Sequence, residues 1–304
     1  MGKEKRPLHF ARTSGGQLMI TSGVTLVFEA MMGHQLEFFK IVRQTTMKQY
    51  TEIMISIIEK RGIIGLWDGF LPWGALQAVS KGAVFGFSHN ILSRLVHKIF
   101  PDSINDTIAG AGAGGIQGLV LSPTLLLKTR VMTDPSYVNA ANSGSPLWES
   151  FKFGFRLVRN EGVGTLMKGA PTFAAKRVGD WGTRYAFTNL IELKVKRWTG
   201  RSQNQSLPYS QRIVCSSLGG LASAASTIPL DVLVANIQSA SAAGKKVSLL
   251  DSFRNSFHSG GFRSVFGFAT RGFRARALHV MLTTVVVKTG TQFFQDHFDP
   301  PLSS

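Results

Sequence analysis

The sequence predicts an all-α membrane protein built from three tandem repeats, and three observations predict it. A similar ten-residue motif ends a long apolar, glycine-rich segment at three places, beginning at Gln35, Pro123 and Pro229. A glycine pair seven residues apart follows each copy, and the first two pairs, Gly62–Gly69 and Gly162–Gly169, are offset by 100 residues. Two segments of 21 and 18 residues carry no charge, near the roughly 20 residues that a membrane-spanning helix needs. A period near 100 in 304 residues indicates three copies of one unit.

Composition excludes some classes of protein. The chain carries 34 Lys and Arg against 17 Asp and Glu, a net charge of +17. A soluble basic protein has similar totals, so the membrane assignment depends on the uncharged segments, 107–127 and 213–230. The single cysteine, Cys215, excludes an intrachain disulfide framework. The basic start, 1–6, lacks an apolar stretch behind it and is not expected to be a secretory signal.

One domain is expected over residues 1–304, with repeats at 11–100, 104–199 and 209–298. Each repeat is predicted to hold two long helices with a short surface helix between them. The long helices are predicted over 15–42, 71–100, 105–132, 171–198, 210–238 and 269–295. The surface helices are predicted over 48–60, 147–160 and 248–259.

Local patterns support these boundaries. The stretch 48–60 is amphipathic, with isoleucines at helical spacing, which suits a surface helix. Five glycines between Gly110 and Gly118 form a small-residue face that lets two helices approach closely. Loops are predicted at 133–146 and 239–246, and the tail 299–304 is expected to be disordered.

Odd and even long helices differ in charge. The odd helices have uncharged cores, whereas the even helices carry charge where the centre of a bilayer would lie. These charges are Lys81, Lys176, Arg177, Asp180, Arg184, Arg271, Arg274 and Arg276. A charge inside a membrane costs several kcal/mol unless it faces protein or water. The even helices are therefore expected to surround a wet cavity.

The three motifs resemble the repeat signature of the mitochondrial carrier family. That signature is proline-x-acid-x-x-base-x-base, then acid-glycine, then aromatic-base-glycine, and the resemblance covers nearly the whole chain. It implies six transmembrane helices in a pseudo-threefold barrel, with three short surface helices on the matrix side. It also implies a multi-pass transporter of the mitochondrial inner membrane rather than an enzyme, without a cofactor or an obligate protein partner.

The resemblance implies a matrix gate, in which the acid of one motif pairs with the base of the next. The expected pairs are Glu37 with Lys128, Asp231 with Lys40, and an apolar pair, Leu125 with Val234. Both members of the third pair have lost their charge, so neither partner leaves a lone buried ion. Replacing a whole buried ion pair by apolar residues is often neutral, which favours a real ring. The alternative is that Pro123 and Pro229 are ordinary helix breakers near unrelated charges.

Four further motif positions depart from or fit the family pattern. Gln44 and Gln238 resemble the glutamines that brace the gate pairs. Met132 takes the third such place and cannot brace by hydrogen bonding. Gln35 replaces the first proline, so the first helix is expected to kink less there.

The even helices supply the candidate substrate site. Its predicted residues are Gln77, Lys81, Lys176, Arg177, Asp180, Arg271 and Arg274. Five of these are cations and one is an acid, and guanidinium groups bind carboxylates or phosphates at two points. The alternative is interfacial side chains reaching to headgroups, which is the interpretation for Arg184 and Arg276.

The stretch 68–84, with Trp181 to Arg184, resembles the tricarboxylate-carrying branch of the family. This implies exchange of anionic tri- or dicarboxylates, such as citrate or oxoglutarate, by alternating access. A carrier of nucleotides or other phosphorylated metabolites is the alternative, although no aromatic pocket for a base is evident beside the cations. A nucleic-acid-binding membrane protein of the nucleoid is disfavoured because the basic residues form no single stripe.

The remaining family features are weaker. The cytoplasmic-side ring lacks its charges, with His89, Leu92 and Asn189 at those places, so neutral contacts are expected there. Bound cardiolipin is implied at 67–69 and 168–169, where helix N-termini present free N–H groups, although a plain glycine turn is an equal alternative. The histidines show no metal-ligand spacing, and no catalytic or phosphate-loop motif is present.

Overall fold

A computed structural model of the chain describes residues 14–46, 48–202, 205, 207–240 and 249–298. Every regular element in these residues is helical. The helices are α1 (Ser14–Phe28), α2 (His34–Thr45), α3 (Tyr50–Arg61), α4 (Ala75–Val96), α5 (Asp102–Thr133), α6 (Pro135–Ser143), α7 (Pro146–Glu161), α8 (Ala170–Trp198), α9 (Tyr209–Ala240), α10 (Leu249–Ala269) and α11 (Phe273–Phe298). The start of the predicted first repeat at 11–13, the loop at 241–246 and the tail at 299–304 lie outside the described residues.

The first long helix differs from its prediction. The sequence predicts one helix over 15–42, but a π-helical turn at Glu29–Gly33 separates α1 from α2. Single π turns inside α-helices insert an extra residue and re-aim the side chains around them. Here the turn directs Glu29 inward, where its side chain is 4% exposed.

The predicted loop at 133–146 is wrong, because the structure places the helix α6 within it. Asp134 caps this helix by accepting a hydrogen bond from the Ser136 amide at 2.9 Å, and Pro135 occupies its first turn. Both features are standard helix-start chemistry. Tyr137 anchors the helix because its ring is buried against Val131 of α5 and Phe153 of α7.

Six long helical segments form a closed ring in chain order. Helix α1 packs on α4, α4 on α5, α5 on α8, α8 on α9, and α9 on α11, which returns to α1 and α2. Helices α3, α6 and α7 lie together at the end of the ring formed by α2 and the C-terminal part of α5. The ring encloses a cavity of about 660 Å³.

The contact between α5 and α8 depends on glycine. A Cβ added to Gly118 would lie 2.6 Å from the Ala174 Cα, and one on Gly114 would meet the Arg177 carbonyl oxygen at 2.5 Å. Because backbone cannot move aside as a flexible side chain can, larger residues would force the helices apart. The predicted small-residue face is therefore the surface along which these two helices approach.

Two helical stretches of the described chain are long and apolar enough to cross a membrane. They span residues 104–133, with mean hydropathy 1.3, and 209–238, with mean hydropathy 1.5. These are the third and fifth predicted long helices, which carry the uncharged segments noted in the sequence. Length and composition alone support this finding.

We predict that Gly118→Ala lowers the thermal stability of the protein, because its methyl group would overlap the α8 backbone. Overpacking of this kind costs about 1–3 kcal/mol. Cys215 is the single cysteine and is 1% exposed, so its reaction with a thiol dye during heating in detergent reports unfolding.

The matched control is Gly23→Ala on α1, where an added Cβ meets no atom within 4 Å. It should leave stability unchanged or slightly raised, since alanine exceeds glycine in helix propensity by about 1 kcal/mol. Equal unfolding temperatures for the two variants would contradict the proposed close approach.

Candidate functional site

The central cavity is lined by more positive than negative side chains. Six cations and four carboxylates line it. The cations are Lys40, Lys81, Lys176, Arg177, Arg184 and Arg276, and the carboxylates are Glu29, Glu37, Asp180 and Asp231. A cavity of this size and polarity suits a small charged ligand.

One predicted gate pair forms a direct buried contact. The Lys128 ammonium of α5 donates to the Glu37 carboxylate of α2 at 2.5 Å. The two residues are 1% and 7% exposed, respectively. At this depth the loss of one partner leaves an uncompensated charge, which costs about 3–5 kcal/mol. The pair therefore ties the first repeat to the second.

The predicted apolar pair also meets. Leu125 of α5 and Val234 of α9 lie in one buried cluster with Leu121 and Phe173. All four side chains are less than a tenth exposed. This contact contains no ion, so no charge has to be desolvated when it forms. Burial of apolar surface stabilises the contact between α5 and α9 here.

Asp231 has more partners than its predicted one. Its carboxylate lies 4.0 Å from the Lys40 ammonium, but the Lys176 ammonium is closer, at 2.8 Å. Arg276 donates to its second oxygen. The predicted gate acid is thus held by two cations from α8 and α11 in addition to the expected base from α2.

Asp180 completes a buried ring of alternating charges. Its carboxylate accepts from Lys176 at 2.8 Å and from Arg276 at 2.5 Å. The Thr227 hydroxyl donates to it at 2.5 Å, and Arg177 lies at 3.8 Å. We call Lys176, Asp180, Asp231 and Arg276 the charge ring. Its two carboxylates compensate its two cations, as buried charges require.

Arg276 was interpreted from the sequence as an interfacial residue, and the structure shows that this is wrong. The side chain is buried and bridges both carboxylates of the charge ring. Arg184, interpreted in the same way, lines the cavity and donates to the Thr284 hydroxyl. Both arginine side chains face the central cavity.

Three predicted substrate residues do not line the cavity. Gln77 is buried in the helix packing at 1% exposure. Arg271 is half-buried with its guanidinium over the Phe268 ring at 4.9 Å, and Arg274 is exposed. Helical geometry explains the last case, since positions two apart on a helix point about 200° away from each other. With Arg276 facing inward, Arg274 faces outward.

Arg177 is held in place by an amide that the sequence interpretation missed. The Gln117 side-chain oxygen accepts from the Arg177 guanidinium and, at 3.2 Å, from the Trp181 indole nitrogen. The Gln117 nitrogen donates to the Lys81 carbonyl oxygen at 2.6 Å. Gln117 lies in an uncharged stretch of α5, and its 1% exposure makes such bonding necessary.

Aromatic rings lie beside the cavity arginines. Phe85 of α4 stacks on Trp181 of α8 with ring centroids 3.8 Å apart. The guanidinium groups of Arg177 and Arg184 lie 5.7 and 5.6 Å from the Trp181 ring, within cation–π range. No aromatic pocket for a base is evident beside the cations in the sequence, but the structure places aromatic rings next to the cavity arginines.

The same aromatic packing continues along α4 and α8. His89 stacks on Tyr185 with centroids 5.7 Å apart, and Tyr185 lies 6.1 Å from Trp181. His89 is one of the uncharged substitutes predicted in the cytoplasmic-side ring. Leu92, another, would touch a Cβ built on Gly112 at 2.8 Å. The contacts at this level of α4 and α8 are aromatic and apolar.

Glu29 is a cavity carboxylate that the sequence interpretation also missed. One oxygen lies 3.5 Å from the Lys81 ammonium and 3.4 Å from the His279 Nε2. The available signal was that Glu29 is the one acidic or basic residue among residues 15–36, apart from His34, because an ionisable residue in a membrane segment points to function.

The two glutamines predicted to brace the gate bind elsewhere. Gln44 donates to the Arg271 carbonyl oxygen at 3.3 Å, and Gln238 accepts from the Thr129 hydroxyl at 3.2 Å. Both are 1% exposed. These hydrogen bonds connect neighbouring helices and do not reach the ionic pairs, so the bracing role stays a prediction.

Polar links fasten the end of the barrel that holds the surface helices. Arg61 binds both Asp68 oxygens, at 2.9 and 3.2 Å, and donates to Asn142 of α6. Burial raises the pKa of Asp68 although Arg61 opposes it, and hydrogen bonding to Asp68 raises the pKa of Arg61. Glu161 similarly lies 3.5 Å from Arg130 and 3.1 Å from Lys168.

The two glycine turns implied as cardiolipin sites are present. Gly69 and Gly169 adopt positive φ angles of 79° and 80° before the helical turns that follow them. Asp68 beside the first turn is bound by Arg61, and Lys168 beside the second pairs with Glu161. These flanking charges are thus committed to bonds within the protein.

The chain belongs to the mitochondrial carrier family. The family model for mitochondrial carrier proteins matches residues 101–193 and 205–299. The chain is accordingly a mitochondrial carrier that transports metabolites, and carriers of this family are transporters rather than enzymes.

Relatives named for different substrates resemble the chain at similar levels of identity. It is 25% identical over 240 residues to the citrate/oxoglutarate carrier protein of Saccharomyces cerevisiae, covering 78% of this chain and 74% of that protein. It is 24% identical over 270 residues to the mitochondrial basic amino acids transporter of Rattus norvegicus, covering 84% of each. It is 25% identical over 196 residues to the mitochondrial thiamine pyrophosphate carrier 1 of Neurospora crassa, covering 60% and 53%, respectively.

We predict that charge reversal at the Glu37–Lys128 pair is complementary. Glu37→Lys alone brings two buried ammonium groups together and should lower both stability and exchange. The double variant with Lys128→Glu restores the attraction and should recover a large part of both. Thermal unfolding and exchange by reconstituted protein measure these effects.

The comparison pair is Lys40→Asp with Asp231→Lys. This double variant should recover little, because the new lysine at position 231 would face Lys176 and Arg276. Equal recovery by both double variants would contradict the different partner sets described above.

Proposed function

We propose that the chain exchanges small anions with two or three carboxylates, such as citrate and oxoglutarate, across the mitochondrial inner membrane. The observation that carries this proposal is the excess of cations over carboxylates in the cavity. Among the cavity cations, Arg184 gives the strongest support for an anionic substrate, because it forms no ion pair with any carboxylate of the described residues. A desolvated guanidinium without a counter-ion favours an anionic ligand.

Charge compensation divides the cavity cations into two groups. Lys176 and Arg276 are neutralised within the charge ring, and Lys81 lies beside Glu29. Arg177 reaches a carboxylate only at 3.8 Å and Arg184 reaches none of those described. We therefore assign first contact with the substrate to Arg177 and Arg184, followed by Lys81 and the charge ring.

This distribution favours an anion over a basic amino acid. A basic amino acid would bring a further positive charge into a cavity whose lining already has a positive excess. Like charges at short distance in a low-dielectric site repel by several kcal/mol. The likeness to the citrate/oxoglutarate carrier therefore agrees better with the cavity than the likeness to the basic amino acids transporter.

Alternating access requires a gate that opens when substrate binds. We assign that role to the Glu37–Lys128 pair, the Leu125–Val234 contact and Asp231 with its cations. Lys176 and Arg276 both contact Asp231. An anionic substrate that binds either cation therefore takes a partner away from Asp231. Substrate binding thereby lowers the free energy of gate opening, as a ligand must do to shift a conformational equilibrium.

A ring-bearing phosphorylated metabolite is a second candidate substrate. The observation that favours it is Trp181, which lines the cavity beside Phe85, Arg177 and Arg184. An aromatic face flanked by guanidinium groups binds planar rings and phosphates together. The likeness to a thiamine pyrophosphate carrier also favours a ring-bearing phosphorylated substrate. Uptake of labelled citrate, oxoglutarate, ADP and thiamine pyrophosphate into liposomes distinguishes the two candidates.

We predict that Arg184→Gln weakens citrate uptake by roughly 10- to 100-fold in apparent affinity. A charge-assisted hydrogen bond contributes about 1.5–3 kcal/mol, and each 1.4 kcal/mol corresponds to a factor of about ten. The concentration dependence of labelled citrate uptake into proteoliposomes measures this change.

The matched control is Arg271→Gln, which removes the same charge from a half-buried residue outside the cavity lining. Its apparent affinity should stay within about twofold of the wild-type value, as for a surface substitution of up to 0.5 kcal/mol. A larger loss of apparent citrate affinity in Arg271→Gln than in Arg184→Gln would assign Arg271, and not Arg184, to the substrate site.

We also propose six membrane spans, one for each long segment of the ring. An even number of spans places both chain ends on the same side, which we assign to the intermembrane space. Protease treatment of mitochondria with ruptured outer membranes should therefore remove tags from both termini. Protection of one tag alone would be incompatible with six spans.

A further inference from the structure

Glu29 lies in a built pocket at the edge of the central cavity. Its π-helical turn aims the carboxylate inward, and the side chain is 4% exposed. One oxygen faces Lys81 and His279, while the other has no hydrogen-bond partner. Gly33 makes the space for that second oxygen, since a Cβ there would lie 2.7 Å from it. Buried carboxylate oxygens without partners are uncommon and need an explanation.

The charged and titratable groups around Glu29 come from four helices. Lys81 of α4 lies at 3.5 Å and His279 of α11 at 3.4 Å. Glu37 and His34 of α2 and Lys128 of α5 act on it from farther away. Lys128 is itself bound to Glu37 at 2.5 Å, and His34 bonds to the Asp68 carbonyl oxygen. Lys81 is therefore the one permanent cation within 4.0 Å of Glu29 among the described residues.

Lys81 and Glu29 both line the central cavity, so an anion that enters the cavity can contact the Lys81 ammonium. Its ammonium donates to Glu29 at a long 3.5 Å, so this contact is weaker than those of the charge ring. A substrate carboxylate that binds Lys81 competes with Glu29 for its nearest cation. Glu29 would then remain as a buried anion with only His279 beside it, and such a charge is costly.

We propose that Glu29 is a proton-binding site that takes up one proton when the third carboxylate of citrate binds Lys81. Arg177 and Arg184 bind the two carboxylates of oxoglutarate, so this smaller substrate leaves the contact between Lys81 and Glu29 in place and brings no proton. This inference rests on the proposed function as a carrier of carboxylates. The proton adds to the Glu29 oxygen that lacks a partner, converting the carboxylate to a neutral carboxylic acid. It leaves when citrate leaves and Lys81 returns, so citrate and the proton cross the membrane together.

The other cavity carboxylates are less suited to this role. Asp180 and Asp231 each contact at least two cations and lie within the charge ring. Loss of one cation to a substrate leaves each with another. Glu37 keeps Lys128, which is not among the cavity-lining residues. Glu29 alone among the four depends on a single permanent cation that also faces the substrate.

Proton uptake changes the charge moved in an exchange. Citrate with three negative charges and one proton carries the same net charge as oxoglutarate with two. Exchange of the two substrates is then electrically neutral and moves one proton per citrate. Without the proton, the same exchange moves one net charge and responds to the membrane potential.

The experiment uses proteoliposomes loaded with oxoglutarate, a pH-sensitive dye and a potassium gradient. Labelled citrate is added outside, with or without valinomycin to set a membrane potential. For the wild-type protein we expect about one proton to enter per citrate and the exchange rate to be independent of the potential. For Glu29→Gln we expect no proton entry and a rate that follows the potential. His279→Gln is the comparison, and we expect it to keep the wild-type proton-to-citrate ratio.

The outcomes separate the inference from the proposed function. Wild-type citrate exchange that follows the potential without proton entry would overturn the inference alone. Loss of proton entry in His279→Gln but not in Glu29→Gln would also overturn it, by assigning the proton to His279. Absence of any carboxylate exchange by the wild-type protein would overturn the proposed function and the inference with it.

A binding measurement covers the case in which Glu29→Gln does not transport. Calorimetric titration of detergent-solubilised protein with citrate, in buffers of different ionisation enthalpy, counts the protons taken up on binding. The wild type should take up about one proton per citrate, and Glu29→Asp should keep this uptake because it keeps a carboxylate. Glu29→Gln should take up none, and an unchanged count in that variant would refute the assignment.

Discussion

The compensation of buried charge by Lys176, Asp180, Asp231 and Arg276 is the constraint on which the rest of the structure depends. These four residues come from three helices, and each ion contacts two of opposite sign. Ions so well paired can remain in a membrane-embedded interior, where a lone ion would shift its protonation or disrupt the packing. Asp231 belongs to the predicted gate and Lys176 to the predicted substrate site, so we propose that the charge ring joins substrate binding to gating.

The same constraint decides what remains for a ligand. Lys176 and Arg276 are already neutralised within the charge ring. The cavity therefore attracts an anion less strongly than the total number of its cations would suggest. Arg177 and Arg184 keep most of their electrostatic capacity, and Trp181 lies between them on α8. The cavity therefore has a compensated part near the gate and a more positive part beside the aromatic rings. This division favours an anion that enters at the arginines and then competes for the ring.

Much of the fold could be predicted from the sequence because its signals are local. Long uncharged segments, glycine pairs and amphipathic stretches indicate helices and their order without long-range information. The contact between Glu37 and Lys128 could also be predicted, because the resemblance to the carrier family implies this pair and the two side chains meet in the structure. The predictions that failed, such as the inward direction of Arg274 and the loop at 133–146, concern side-chain direction and local capping. Neither is determined by hydrophobic spacing.

The sequence by itself determined the helical architecture, the threefold recurrence and the presence of cations in the even helices. Only the tertiary structure decided which cations face the cavity and which carboxylates neutralise them. The physical reason is that helix rotation and π turns set side-chain direction, and both result from packing between distant segments. Glu29 and Arg276 show this directly. Each is one charge in the sequence, and each acquires its role from partners brought together by the closed ring of helices.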